Sequence, residues 1–108
     1  VNLSKREPYR NKKILAAAKG EECTLNSPVC NYDSRTTVFC HLNEEFAGKG
    51  GSQKADDHAG FFGCGTCHDL YDGRTQDSLS IWNTSEDFYV LRAVVRTTRR
   101  LLDKGILK

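Results

Sequence analysis

A chain of 108 residues, 38% hydrophobic and 28% charged, has room for one domain with a thin core, which excludes a two-domain enzyme and favours a metal or disulfide staple. No stretch is long or apolar enough to cross a bilayer and no secretory pattern opens the chain, so it reads as a cytoplasmic protein, with Val1 as a processed or trimmed start. The net charge of +2 hides two basic ends (residues 1–19 and 92–108) around a middle of four basic and twelve acidic residues, a layout that suits a polyanion at the ends and cations in the centre, though solvated basic helix faces would look the same.

Residues 1–10, with Lys5, Arg6, Arg10 and Pro8, read as a basic arm ahead of a single domain over 11–108. Asn11 can cap a short helix through Ile14 and Ala18, and Gly20 suits its stop. A turn-rich loop from Cys23 to Cys30 follows. Residues 36–42 are the best strand, with Val38, Cys40 and Leu42 predicted on one face and Thr37, Phe39 and His41 on the other. Cys40 thus shares a face with two aliphatics and reads as a core thiol. Residues 43–60 are glycine-rich and polar, a long loop of the kind that carries function. A short strand at Phe61, Phe62 and Gly63 leads into Cys64-Gly-Thr-Cys67, and residues 68–72 make a short helix that Gly73 ends. A polar connection holding Trp82 comes next. Thr84-Ser-Glu-Asp resembles a capping box for a last helix from about Ser85 to Asp103 or Lys104. Phe88, Leu91, Val95 and Leu102, joined by Val94 and Leu101, are its predicted apolar stripe, while Arg92, Arg96, Arg99 and Arg100 line another side.

Five cysteines do not close into a disulfide set, but four thiolates on one zinc plus the Cys40 thiol account for all of them. Structural zinc takes four tetrahedral ligands, usually as two close pairs. Cys64 and Cys67 form the tight pair; Cys23 and Cys30 form a wider one closed by a turn. Four unrelated thiols or a redox Cys-x-x-Cys are the competing readings, and the second lacks the βαβ context it needs.

Two histidines hold marked positions. His41 ends the first strand, and His68 follows the second knuckle cysteine. Closing the four cysteines brings that strand end near that helix start, with Asp56, Asp57 and His58 on the loop between them. Taken singly, each histidine is more often a packed residue than a catalytic one, and His68 can compete as a zinc ligand. Their order is distinctive: cysteine pair, strand ending in His, glycine-rich loop, strand, Cys-x-x-Cys-His. That order resembles the HNH, or His-Me finger, nucleases, whose ββα-metal fold many members staple with four cysteines. More closely it is similar to the short phage and prophage nuclease family that includes YbcO, through Gly20-Glu-Glu-Cys23, Val29-Cys-Asn31, Cys40-His-Leu42, Asp57 seven residues before Cys64, Cys64-Gly-Thr-Cys-His-Asp69, Asp72-Gly-Arg-Thr75, Val95-Arg-Thr-Thr98 and Lys104-Gly-Ile106.

The resemblance implies an α+β domain with a small ββα-metal core stapled by a four-cysteine zinc site, between a short N-terminal and a long C-terminal helix. It implies a metal-dependent endonuclease acting on DNA in the cytoplasm of a bacterial host. His41 matches the general base and His68 a ligand of a catalytic Mg²⁺ or Mn²⁺. Asp57 is the candidate second ligand or the group that orients His41; Asp72, one turn after His68, can bind the ion or its water; Arg74 can hold the scissile phosphate. Cys40 stands where many HNH nucleases place a carboxylate ligand, so the ion's carboxylate must come from Asp57, Asp72 or Asp56. Arg92, Arg96, Arg99 and Arg100, with the arm, are expected to hold DNA phosphates without reading sequence. A host or phage recombination protein is a further candidate partner. The alternatives are a non-catalytic zinc module that binds DNA or protein on a degenerate HNH frame, and a purely structural zinc adaptor.

Overall fold

The computed structural model describes residues 7–50 and 53–107, so Lys5, Arg6 and Lys108 lie outside the described residues. In chain order come α1 (Lys12–Ala17), β1 (Val38–His41), β2 (Gly60–Gly63), α2 (Gly65–Tyr71), α3 (Ser78–Trp82) and α4 (Glu86–Asp103), with 3-10 turns at Ser34–Thr36 and Glu45–Ala47. This is an α+β fold of one two-stranded antiparallel sheet and four helices. No described helix is long and apolar enough to cross a membrane.

The hairpin is the centre of the molecule. Its register sets Val38 opposite Gly63 and His41 opposite Gly60. Of the residues expected on one face, Cys40 is buried, Leu42 is half-buried, and Val38, at the open end of the ladder, is exposed. Burial pushes the Cys40 thiol well above its ordinary range, which keeps it a neutral core group. On the other face the Phe39 and His41 rings meet edge to face at 5.1 Å. A Cβ on Gly60 would lie 2.3 Å from the Cys40 carbonyl oxygen and 2.6 Å from the Phe39 ring, so only glycine lets the strands close beside His41.

A two-stranded sheet leaves backbone groups to satisfy on its outer edges. At β2 two threonines do this. Phe62 N–H donates to Thr97 Oγ1 at 3.0 Å, and the Phe62 carbonyl accepts from Thr24 N–H at 2.8 Å and Thr24 Oγ1 at 2.7 Å. The two hydroxyls bond each other at 2.9 Å, and both threonines are buried. This network selects the face by which α4 docks, and it corrects the predicted stripe: Leu101 is buried and Val94 half-buried as expected, but the other four members are not. Phe88, Leu91, Val95 and Leu102 are 62%, 66%, 60% and 42% exposed. The buried row is Ala93, Thr97 and Leu101, flanked by half-buried Tyr89, Val90 and Val94. A small residue and a hydroxyl let the helix approach the strand closely; a row of large side chains would not.

The predicted capping box also fails to form. Ser85 makes no cap bond to the helix; its hydroxyl turns back onto the Trp82 carbonyl. Trp82 is no mere linker residue but the buried end of α3, in the core with Phe61, Leu70 and Tyr71. Asn11 caps α1 as expected, its side chain accepting from Lys13 N–H at 3.0 Å. A second small core joins Ile14 and Ala18 of the first helical segment to Phe62 and Leu101.

Candidate functional site

The four cysteines predicted to share a metal converge: the sulfurs of Cys23, Cys30, Cys64 and Cys67 all lie within 4.8 Å of one another. Cys64 is the N-cap of α2, so the knuckle and the helix start are one structure. The sulfurs accept from the backbone N–H groups of Asn26 onto Cys23 at 3.4 Å, Tyr32 onto Cys30 at 3.4 Å and Cys67 onto Cys64 at 3.5 Å. Such bonds stabilise thiolates and orient them. Cys23 is drawn down to about 5, chiefly by its bond from Cys67, while giving that bond raises Cys67. Four soft sulfurs, part ionised and mostly buried, fit zinc in number and chemistry. Cys40 stays outside the group.

At the other end of the hairpin His41 meets Asp57. His41 Nε2 lies 2.8 Å from Asp57 Oδ1. Asp57 is almost wholly buried and held on every side. Its Oδ2 accepts from Asn11 N–H at 2.7 Å, its own N–H donates to the Tyr9 carbonyl at 2.9 Å, and Arg10 stands 3.6 Å from Oδ1. Burial alone would raise this carboxyl, but the His41 and Asn11 bonds and the Arg10 charge outweigh it and hold it below its ordinary range. Asp57 is therefore an acceptor at neutral pH. The proton of a neutral His41 then sits on Nε2, leaving Nδ1 as the basic nitrogen.

His68 sits at the middle of α2, which starts three residues before it and not at it as expected, and Asp72 is the cap residue one turn on. His68 Nε2 and Asp72 Oδ2 are 3.0 Å apart, each side chain partly exposed. Arg74 reaches Asp72 at 3.1 Å and Asp69 at 2.9 Å. Asn43, two residues beyond His41, donates its N–H to the Tyr71 hydroxyl at 2.9 Å and its side-chain amide to Asp72 at 3.4 Å. Two residues of extended chain span about 7 Å, so Asn43 ties the His41–Asp57 pair to the His68–Asp72 pair. His58 pairs instead with Asp56 at 3.5 Å, and Asp56 also accepts from Tyr9 N–H at 3.1 Å. Beyond the four cysteines, no group of three His, Cys, Asp or Glu among the described residues brings its ligand atoms within 4.8 Å.

Sequence reasoning passed over Asn43 and Tyr71, and it saw Arg10 only as a cation of the arm and Asn11 only as a helix cap. Two of these act through backbone N–H groups, which leave no mark in residue type. Of the arginines of α4, Arg92 and Arg100 are half-buried and Arg96 and Arg99 exposed, and each has a partner on the chain itself. Arg92 donates to the Leu25 carbonyl at 3.1 Å, Arg96 to Asn26 at 3.4 Å, and Arg100 to the Glu22 carbonyl at 2.8 Å. They clamp the helix onto the loop carrying Cys23. Arg99 pairs with Asp103 on the surface at 2.7 Å. The arm is likewise held at its described end: Arg10 donates to the Ala55 carbonyl at 2.8 Å and to the Lys54 carbonyl at 3.1 Å.

Comparison with known proteins places this geometry. Residues 12–106 match a family model described as "Putative nuclease YbcO". Among solved structures, that of a "putative bacteriophage protein" from Escherichia coli K-12 MG1655 is similar, with a TM-score of 0.63 and 28% identity over 84% of this chain and 98% of that one. No curated protein matches the chain.

Proposed function

Because the chain belongs to the YbcO family, we propose that it is a metal-dependent endonuclease that hydrolyses DNA phosphodiester bonds in phage recombination, repair or DNA processing. The observation that carries this reading is the His41–Asp57 pair, in which a buried carboxylate at 2.8 Å orients an imidazole at a strand end. Asp57 takes the positioning role, since it is almost wholly buried with His41, Asn11 and Arg10 about its oxygens, whereas Asp72 is partly exposed. His41 Nδ1 takes a proton from water as the water oxygen bonds to phosphorus and the bond to the leaving 3′-oxygen breaks. His68 and Asp72 supply an imidazole and a hard carboxylate side by side, a fit for an ion such as Mg²⁺ or Mn²⁺ that keeps several waters and needs few protein ligands. When bound there, such an ion supplies charge that stabilises the crowded phosphate and the leaving oxygen. Arg74, anchored on Asp69 and Asp72, has N–H groups left over to hold the scissile phosphate.

The four-sulfur cluster serves as the structural zinc site, and its order with the hairpin and α2 resembles the His-Me finger frame. One observation favours the second reading, a non-catalytic DNA-binding module: Cys40, before His41, points into the core and so offers no carboxylate to a catalytic ion. Labelled linear, single-stranded and branched DNA, incubated with Mg²⁺, Mn²⁺ or EDTA, separates the two. Cuts that need the cation and vanish in His41→Ala support the nuclease. Binding without cleavage on every substrate overturns it in favour of the module.

A further inference from the structure

The two basic ends of the chain, far apart in sequence, meet in one place. An open groove of about 660 Å³ is lined by Arg10, Lys12 and Lys13 from the start of the domain and by Lys104 and Ile106 just past α4. Gly105, at a φ of 73°, turns the chain there, and the N–H groups of Ile106 and Leu107 both return to the Leu101 carbonyl. Leu101 in turn packs against Ile14 of α1, so the two walls of the groove share one small core.

The four cations of the groove differ in how far they are neutralised. Lys104 is paired with Glu21 at 2.6 Å, and Arg10 stands 3.6 Å from Asp57. Lys12 and Lys13 are exposed and form no ion pair among the described residues. The groove also has a direction. Arg10 lines it and at the same time touches Asp57, the partner of His41. The positive track therefore begins at the back of the His41–Asp57 pair and runs toward the C-terminal turn.

We propose that this groove, and not the arginine row of α4, is the main seat of the nucleic-acid backbone, with Lys12 and Lys13 contacting successive phosphates beside the bond at His41. Every arginine of the row is engaged by the chain itself, Arg92 and Arg100 on backbone carbonyls, Arg96 on the Asn26 amide oxygen and Arg99 on Asp103, whereas the groove offers two exposed cations with no ion pair among the described residues. The open shape suits a continuous strand of phosphates, where a closed pocket would suit a single anion. Nothing in the groove reads bases, so the contact fixes position and not sequence. The proposal deepens the nuclease reading and rests on it for the place of the cut.

The test measures binding in EDTA, apart from cleavage, by fluorescence anisotropy of labelled duplex DNA across a salt series. Each phosphate contact contributes about 0.9 to the slope of log K against log salt on duplex. Lys12→Gln with Lys13→Gln should lower that slope by about 1.8 and weaken binding about tenfold at low salt. Arg35→Gln removes an exposed charge outside the groove and should leave the slope unchanged and the affinity within about twofold. Circular dichroism and zinc content check that the double variant stays folded, as its two exposed lysines predict. An unchanged slope in the folded double variant, or an equal loss in Arg35→Gln, overturns the groove. Wild-type protein that ignores DNA but binds an acidic protein through these lysines overturns it too. Groove-dependent binding without any cleavage would sink the nuclease reading and leave the groove standing.

Discussion

The two ends of the central hairpin are built on different principles. Beside Val38 and Gly63, four sulfurs gather within 4.8 Å, and the groups that hold them come mostly from their own loops: Asn26, Tyr32 and the α2 N-terminus. Beside His41 and Gly60, the key carboxylate is held by residues 46 to 48 positions away, through Asn11 N–H and the Tyr9 carbonyl. The first end is locally organised and can drive folding when it takes up a metal. The second exists only once the domain has closed. On the proposed reading this is a division of labour, with a metal staple at one end of two short strands and the chemistry at the other.

The largest expected effect breaks the staple. Structural zinc contributes on the order of 10–16 kcal/mol in small zinc domains, against a total domain stability of about 5–15 kcal/mol. Cys64→Ser, or a strong chelator, should therefore unfold the chain, read by circular dichroism and zinc content. A folded, metal-free Cys64→Ser protein would erase the contrast between the ends. His41→Ala should do the opposite: cleavage falls by about 10²–10⁴-fold, while the protein stays folded and keeps its zinc.

The faces of α4 give the next effect. Leu101→Ala removes a side chain 2% exposed and should cost about 2–5 kcal/mol in urea unfolding. Leu102→Ala, its exposed neighbour, should stay within about 0.5 kcal/mol. Equal losses would mean that α4 docks by the face its apolar residues suggest. The smallest effect is acid sensitivity at the His41 end. Because Asp57 is held below its ordinary range in the fold, its contribution to stability is fully present above about pH 4, the unfolded carboxylate value. It is lost as pH falls through the lower folded value. Asp57→Asn should flatten that acid limb in a plot of melting temperature against pH; an unaltered limb would show that Asp57 is not held this way.

What could be read in advance follows the range of the cause. Asn11 as a cap, the strand ending at His41, the knuckle at Cys64 and Cys67 and the stop at Gly73 are local patterns, set by side-chain type within a few residues. The pairing of Cys23 and Cys30 with the knuckle was legible because metal chemistry restricts which residues can meet. The predicted partnership of Asp57 with His41 was one of two roles left open; the two side chains lie 2.8 Å apart, which is why the proposed mechanism gives Asp57 the orienting role.

Other features were not legible, for a common reason. Helical period names the residues that share a face, and for α4 it names Phe88, Leu91, Val95 and Leu102 together with Val94 and Leu101; it does not say that the sheet will accept only the last two of these. That was decided by the backbone of Phe62, which needs a donor and an acceptor at its outer edge and finds them in Thr97 and Thr24. The same holds for Asn11 and Tyr9 at Asp57, where peptide groups common to nearly every residue do the holding, and for Arg92, Arg96 and Arg100, whose guanidinium groups found carbonyls at residues 22–26 and Asn26. The sequence by itself thus determined the staple, the strands and the identity of the imidazoles, because those depend on residue type and spacing. Only the tertiary structure decided which helix face is buried, which cations remain free and what grips Asp57, because those depend on backbone groups and on contacts between distant segments.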